Sequence, residues 1–165
     1  MSDNRGSIYV RETLLHRSKV LTSLRKFLDE MSFIELTTPV VRGDDDGFRP
    51  RPEVELHGTH YLREAIGPAL RLNLQHFPRV YEVGPCFRSD AASETHSPEF
   101  SMLDFYAAGE DLDFLMETAE TAIAQTYDGR IERVSISDEI QTNFGVSPFV
   151  DTEEAVRMAM VKALR

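Results

Sequence analysis

From Arg11 to Met31 apolar residues recur at helical spacing. Leu14, Leu21, Leu24, Leu28 and Met31 make one stripe, with Leu15 and Val20 beside it. Positions three, four and seven apart share a face of an α-helix, so the spacing predicts an amphipathic helix here. The pattern then changes. Phe33-Ile34-Glu35-Leu36-Thr37 reads as a strand closed by Pro39, which cannot donate to a ladder. Val54–Leu62 reads as a strand and Pro68–His76 as a short helix. Between Arg79 and Tyr106 an alternating strand runs into an Arg-bearing turn, a polar loop and a second strand. Asp111–Tyr127 reads as a helix with Leu112, Leu115, Met116, Ala119 and Ile123 on its apolar face and Gly129 as the terminating glycine. Arg130–Ile136 alternates like a strand, and Asp151 with Glu154 opens a last helix through Leu164 in the manner of a capping box. These elements predict an α+β fold with a mostly antiparallel sheet flanked by helices. Residues 1–10 are expected to be a flexible N-terminus and 11–165 a single domain.

Composition narrows the class. A chain of 165 residues with 41% hydrophobic and 28% charged residues can build one sizeable core. It contains no apolar run of about 18 residues that would cross a membrane, and no apolar leader near Met1. One cysteine, Cys86, excludes an internal disulfide, reads as a packing residue and suits a reducing cytoplasm. Acidic residues outnumber basic ones 28 to 18, a net charge of −10, which argues against a broad phosphate-binding surface; tRNA binding is therefore doubtful. Asp44, Asp45 and Asp46 lie in a Gly- and Pro-rich loop and lack calcium-loop spacing, so a solvated loop is the reading there and no metal site is assigned.

The chemistry concentrates in the hairpin. Arg88 follows the run Glu82-Val83-Gly84-Pro85-Cys86-Phe87, and Asp90 stands two residues on. His96 lies in the loop sequence THSPEF. Phe100, Met102, Asp104 and Tyr106 alternate along one strand and so share a face. An acid on such a face is a poor choice for a core.

This hairpin resembles motif 2 of the class II aminoacyl-tRNA synthetases, and PEFSMLDFY is similar to the lysine-type members. Leu62-Arg63-Glu64-Ala65-Ile66-Gly67-Pro68-Ala69-Leu70 resembles the LR-x-APELY segment of lysine-type and the LRPMLAPNLY segment of pyrrolysine-type enzymes. The EVGPCFR run also resembles the pyrrolysine type. The N-terminal helix, strand and Pro39 resemble motif 1, which builds the family's dimer interface; Leu21, Leu24, Leu28 and Pro39 are the candidates here.

The resemblance implies ATP-dependent activation of an amino acid, with ATP and Mg2+ as cofactors, although no magnesium ligands can be assigned. Such chemistry needs the α-phosphate held, the adenine clamped and the amino acid fixed in line. By resemblance Arg88 contacts the α-phosphate and the substrate carboxylate, a task suited to a permanently charged fork. Asp90, where the family usually has Glu, lies by the adenine, His96 by the outer phosphates, and Phe100 stacks on adenine. Asp104 and Tyr106 line the amino-acid pocket and imply a cationic or amine-bearing substrate. The family's polar contact to the α-amino group is replaced by Ala69, with Glu64 as a candidate substitute.

Other expected parts are missing. No glycine-rich motif 3 follows Gly129, where Gly145 is isolated, and no anticodon-binding barrel precedes the first helix. The expectation is a truncated synthetase-like domain whose open sheet is covered in a homodimer or by a partner subunit. Three functions remain open: an adenylate-forming enzyme with a non-tRNA acceptor, a non-catalytic ligand-binding or regulatory subunit, and a fragment of a longer lysyl-type synthetase.

Overall fold

The computed structural model describes residues 11–43 and 49–163. The N-terminus expected to be flexible and the triple-aspartate loop lie outside the described residues. Within the span expected as one domain, the chain divides into two compact units, residues 1–128 and 129–165.

In the first unit, helix α1 (Arg11–Glu30) follows the apolar stripe, but only its C-terminal half is covered. Leu14 and Leu15 stay 49% and 45% exposed, whereas Phe27 and Leu28 are buried. Ser32, in the left-handed region at φ 62°, turns the chain out of the helix and into Phe33, whose N–H donates to the Leu28 carbonyl. Strand β1 is only Ile34–Glu35, shorter than the five residues expected, and it pairs in parallel with β5 (Arg79–Phe87). One further bond, from Leu36 N–H to the Tyr81 carbonyl, extends that contact before Pro39.

β5 pairs antiparallel with β6 (Glu99–Ala107) along its full length, from Arg79 opposite Ala107 to Phe87 opposite Glu99, giving the order β1-β5-β6. A second small sheet, β2-β4-β3, joins Val41–Arg42, Thr59–Leu62 and Glu53–Glu55. The single strand expected over 54–62 is therefore a tight hairpin. His57 (φ 55°) and Gly58 (φ 130°) occupy positive φ, where the chain reverses. The expected helix after Pro68 is α2 (Gly67–Arg71) followed by a 3-10 turn at Leu72–Gln75.

Two clusters sandwich the hairpin. On one face Phe27, Leu28, Phe33, Tyr81 and Ala122 pack together, with Leu103, Phe105 and Phe114 against them. On the other, Ile66, Leu70, Val80 and Cys86 are buried, with Phe100, Met102 and Tyr106 over them. The period-2 alternation of β6 is thus divided between two layers. Cys86 is fully buried, 4.0 Å from the Met102 sulfur, and burial pushes its thiol pKa up, as suits a packing residue. Leu28 is 0% exposed within the chain's own core, so it offers no surface to a partner; that interface assignment is corrected. Leu24 packs on the same core, Leu21 is half-buried and Pro39 is exposed.

Helix α3 (Leu112–Ala124) is capped by Asp111, whose carboxylate accepts the Phe114 N–H at 2.9 Å. It ends at Gln125, and Gly129 does not cap it. In the second unit Arg130–Ser135 forms no strand. Instead α4 (Ile136–Phe144) starts with Ser135 accepting from Asp138 N–H and ends at Gly145 in the left-handed region. The last helix, α5 (Glu153–Ala163), is capped by Thr152, which accepts from Ala155 N–H; Asp151 accepts from Ser147 N–H, so the capping box expected there is absent.

Candidate active site

A buried polar knot fixes the base of the hairpin. Arg63 and Glu82 are 1% and 3% exposed and pair at 2.5 Å. Arg63 also donates from Nε to the Pro85 carbonyl at 2.8 Å and toward Thr38 at 3.1 and 3.2 Å. Thr38 returns two donors to the second Glu82 oxygen, from its N–H at 3.0 Å and its hydroxyl at 2.8 Å. Gly84 is required beside this pair: a Cβ there would collide with the Arg63 guanidinium and lie 3.3 Å from Glu82 Oε1. The pairing locks the segment after β4 to β5, and the Phe87 N–H to Arg63 carbonyl bond continues that tie to the strand's end.

Arg88 stands just beyond. Its N–H donates to the Pro98 carbonyl, its Nε lies 3.4 Å from the Glu64 carbonyl, and its guanidinium sits 4.9 Å from the centre of the Phe100 ring. A cavity of about 280 Å³ opens here, lined by Arg88, Asp90, Thr95, His96, Ser97 and Phe100. All four ATP-site candidates therefore meet in one place. That volume lies near the lower end of small-molecule sites. The loop closes on itself: Ser93 N–H donates to the His96 carbonyl, and His96 Nδ1 lies 3.0 Å from both the Ser93 and Thr95 hydroxyls. Phe100 serves two surfaces, packing on the Cys86 cluster and walling the cavity.

Asp104 and Tyr106 lie further along the same face, against the start of α2. A Cβ on Gly67 would collide with the Tyr106 hydroxyl and stand 2.9 Å from Asp104 Oδ2, so only glycine permits this approach. Burial raises the Asp104 pKa; the Phe105 N–H, the Arg71 charge, the Gly67 N–H and the Tyr106 hydroxyl oppose that rise. Burial and the Asp104 charge push the Tyr106 phenol up.

Glu64 does not join this wall from an open pocket. It is 0% exposed, with its carboxylate 3.7 Å from Arg51 and 4.0 Å from Arg42, and its carbonyl rather than its carboxylate meets Arg88. That geometry sets its carboxylate beside two guanidiniums in the interior, with neither oxygen accepting a hydrogen bond.

The family model of class II tRNA synthetases (D, K and N) matches residues 7–164. The chain belongs to this family. It is 39% identical over 120 residues to a lysine–tRNA ligase of Halalkalibacterium halodurans, covering 70% of this chain and 24% of that relative. The lysine–tRNA ligase of Aquifex aeolicus is 40% identical over 117 residues, covering 67% and 19%. That of Dehalococcoides mccartyi is 31% identical over 176 residues, covering 92% and 35%. This synthetase-family chain thus spans between a fifth and about a third of the length of these relatives. Among the described residues, no group of three His, Cys, Asp or Glu side chains comes together to hold a metal ion. No magnesium ligand is assigned among the described residues, and no step is routed through the ion.

Sequence reasoning missed Arg63, Glu82, Thr38 and Arg71. Arg63 and Glu82 carried one signal, opposite charges inside otherwise apolar segments. Arg71 carried another, a cation beside Leu70 in a short helix, four residues after the close-packed Gly67.

Proposed function

We propose that the chain forms the adenosine- and amino-acid-binding part of an ATP-dependent amino-acid-activating site. The observation that carries this reading is the cleft in which the Arg88 guanidinium stands 4.9 Å over Phe100, with His96 and Asp90 beside it. In the reaction a substrate carboxylate oxygen attacks the α-phosphorus of ATP. The mixed anhydride forms, and the bond to the departing pyrophosphate breaks. Arg88 offsets the charge on the α-phosphate and orients the attacking carboxylate, Phe100 stacks on the adenine, Asp90 lies at its edge, and His96 meets the outer phosphates. Asp104 and Tyr106 receive the amino-acid side chain. Their acid–phenol chemistry, and the lysine named in the relatives' activity, support an amine-bearing substrate.

The acyl acceptor is proposed to be something other than tRNA, on the support of a net charge of −10. A gel shift with bulk tRNA at physiological salt tests this, and tight binding would overturn it. A homodimer or partner subunit over the open β6 edge, in a cytoplasmic setting, completes the proposal. A second reading, part of a longer lysyl-type synthetase or a non-catalytic subunit, is favoured by the 19–35% of the relatives' length that the chain covers.

Pyrophosphate exchange with a panel of amino acids, wild type against Arg88→Ala, is the test. The expected outcome is exchange with wild type that falls by about 100- to 1,000-fold in the variant. No exchange, with ATP binding retained in calorimetry, favours the second reading. No binding of either ligand overturns both.

A further inference from the structure

The wall formed by Asp104 and Tyr106 already holds a cation of its own. Gly67 and Arg71 are four apart on α2 and therefore share a face of that helix. Gly67 is the residue pressed against the Tyr106 hydroxyl and Asp104, so the same face carries Arg71 to the Tyr106 ring, with its guanidinium carbon 5.9 Å from the ring centre. Arg71 is exposed, and among the described residues it makes no hydrogen bond or ion pair. Its charge acts on both neighbours, opposing the effect of burial on Asp104 and on Tyr106.

An incoming ammonium would use three attractors: the Asp104 charge, the Tyr106 oxygen and the Tyr106 ring face. Arg71 already engages this group. The geometry points to Arg71 as a specificity-determining residue, an internal counter-cation that an amine-bearing side chain must displace before Asp104 and Tyr106 can receive it. With Arg71 in place the wall is neutral in sum; without it the wall carries one negative charge. Arg71 therefore sets how strongly this wall prefers an ammonium to a neutral side chain of equal length, and it lowers that preference. This inference rests on the reading of Asp104 and Tyr106 as the amino-acid wall.

The test compares lysine with norleucine, its near-isosteric neutral counterpart, by calorimetry on the full chain. Wild type, Arg71→Met, Asp104→Asn and the double variant are measured, with ATP binding recorded for each. Methionine keeps an unbranched stem over the ring and removes the charge. The expected result is a lysine-to-norleucine preference about two- to fivefold larger in Arg71→Met than in wild type, from removal of one like charge at an exposed position. In the Asp104→Asn background the gain from Arg71→Met should be smaller, because the repulsion of the ammonium remains but the competition for the Asp104 charge is gone, an outcome that a merely structural role for Arg71 would not produce. An unchanged or smaller preference in Arg71→Met overturns the inference and leaves the amino-acid wall standing. ATP binding without binding of either amino acid in any variant overturns the wall itself and the inference with it.

Discussion

Replacing Arg63 by methionine removes one member of a buried ion pair and leaves the other in place. The pair is almost free of solvent, with side chains 1% and 3% exposed, so solvent screening is weak. Removing one partner of such a pair typically costs about 3–5 kcal/mol, because an uncompensated charge stays buried. Here Glu82 keeps two donors from Thr38, which moderates the loss toward about 3 kcal/mol. The Pro85 carbonyl, which accepted the Arg63 Nε at 2.8 Å, also loses that donor. Against a typical domain stability of about 5–15 kcal/mol the loss is large.

Urea unfolding followed by circular dichroism on wild type, Arg63→Met, Glu82→Leu and the double variant measures it. The double variant removes both charges, so it should be less destabilised than the two single losses added, by about 1–3 kcal/mol. A loss under about 1 kcal/mol for Arg63→Met, or strict additivity in the double variant, would refute the argument that this pair holds the segment after β4 to β5.

Gly67→Ala should destabilise the fold by about 1–3 kcal/mol, since its Cβ overlaps the Tyr106 hydroxyl. Amino-acid affinity should fall while ATP affinity is retained; calorimetry with each ligand checks this. Asp104→Asn tests the electrostatic cost of the wall. Burial raises the Asp104 pKa in the fold, so its contribution to stability is fully present below the ordinary carboxylate value and is lost as pH rises through the raised one. The Asn variant should therefore melt higher than wild type near neutral pH, and that advantage should vanish below about pH 4; an advantage that grows on acidification would contradict the sign. Phe100→Leu keeps an apolar contact on the Cys86 cluster and removes the stacking ring. ATP affinity should weaken by about 1–3 kcal/mol with little change in melting temperature, and an unchanged affinity would leave the ring a core residue alone.

Much of the site was legible because it rests on short-range pattern. The alternation from Phe100 to Tyr106 places four side chains on one face whatever they pack against, and the Gly-Pro-Cys-Phe-Arg run ends a strand on a cation. The same method failed at 130–136, where an alternating stretch proved irregular and the following helix was signalled instead by Ser135 and Gly145. The burial of Glu64 was hidden for a different reason. Nothing local distinguishes a carboxylate that faces a ligand from one that faces Arg42 and Arg51, since these lie on segments well before it in the chain.

Periodicity and turn chemistry act within a few residues, so residue order alone was enough for the α1 stripe, the motif 2 hairpin and the family they signal. Pairings across the chain needed the folded molecule. Arg63 finds Glu82 across 19 positions and Thr38 across 25, and these bonds form only once β5 is laid between β1 and β6. Arg71 reaches the Tyr106 ring only because Gly67 lets α2 press against β6. Burial and charge at a site depend on what the fold brings alongside, and neither is a property of the local sequence.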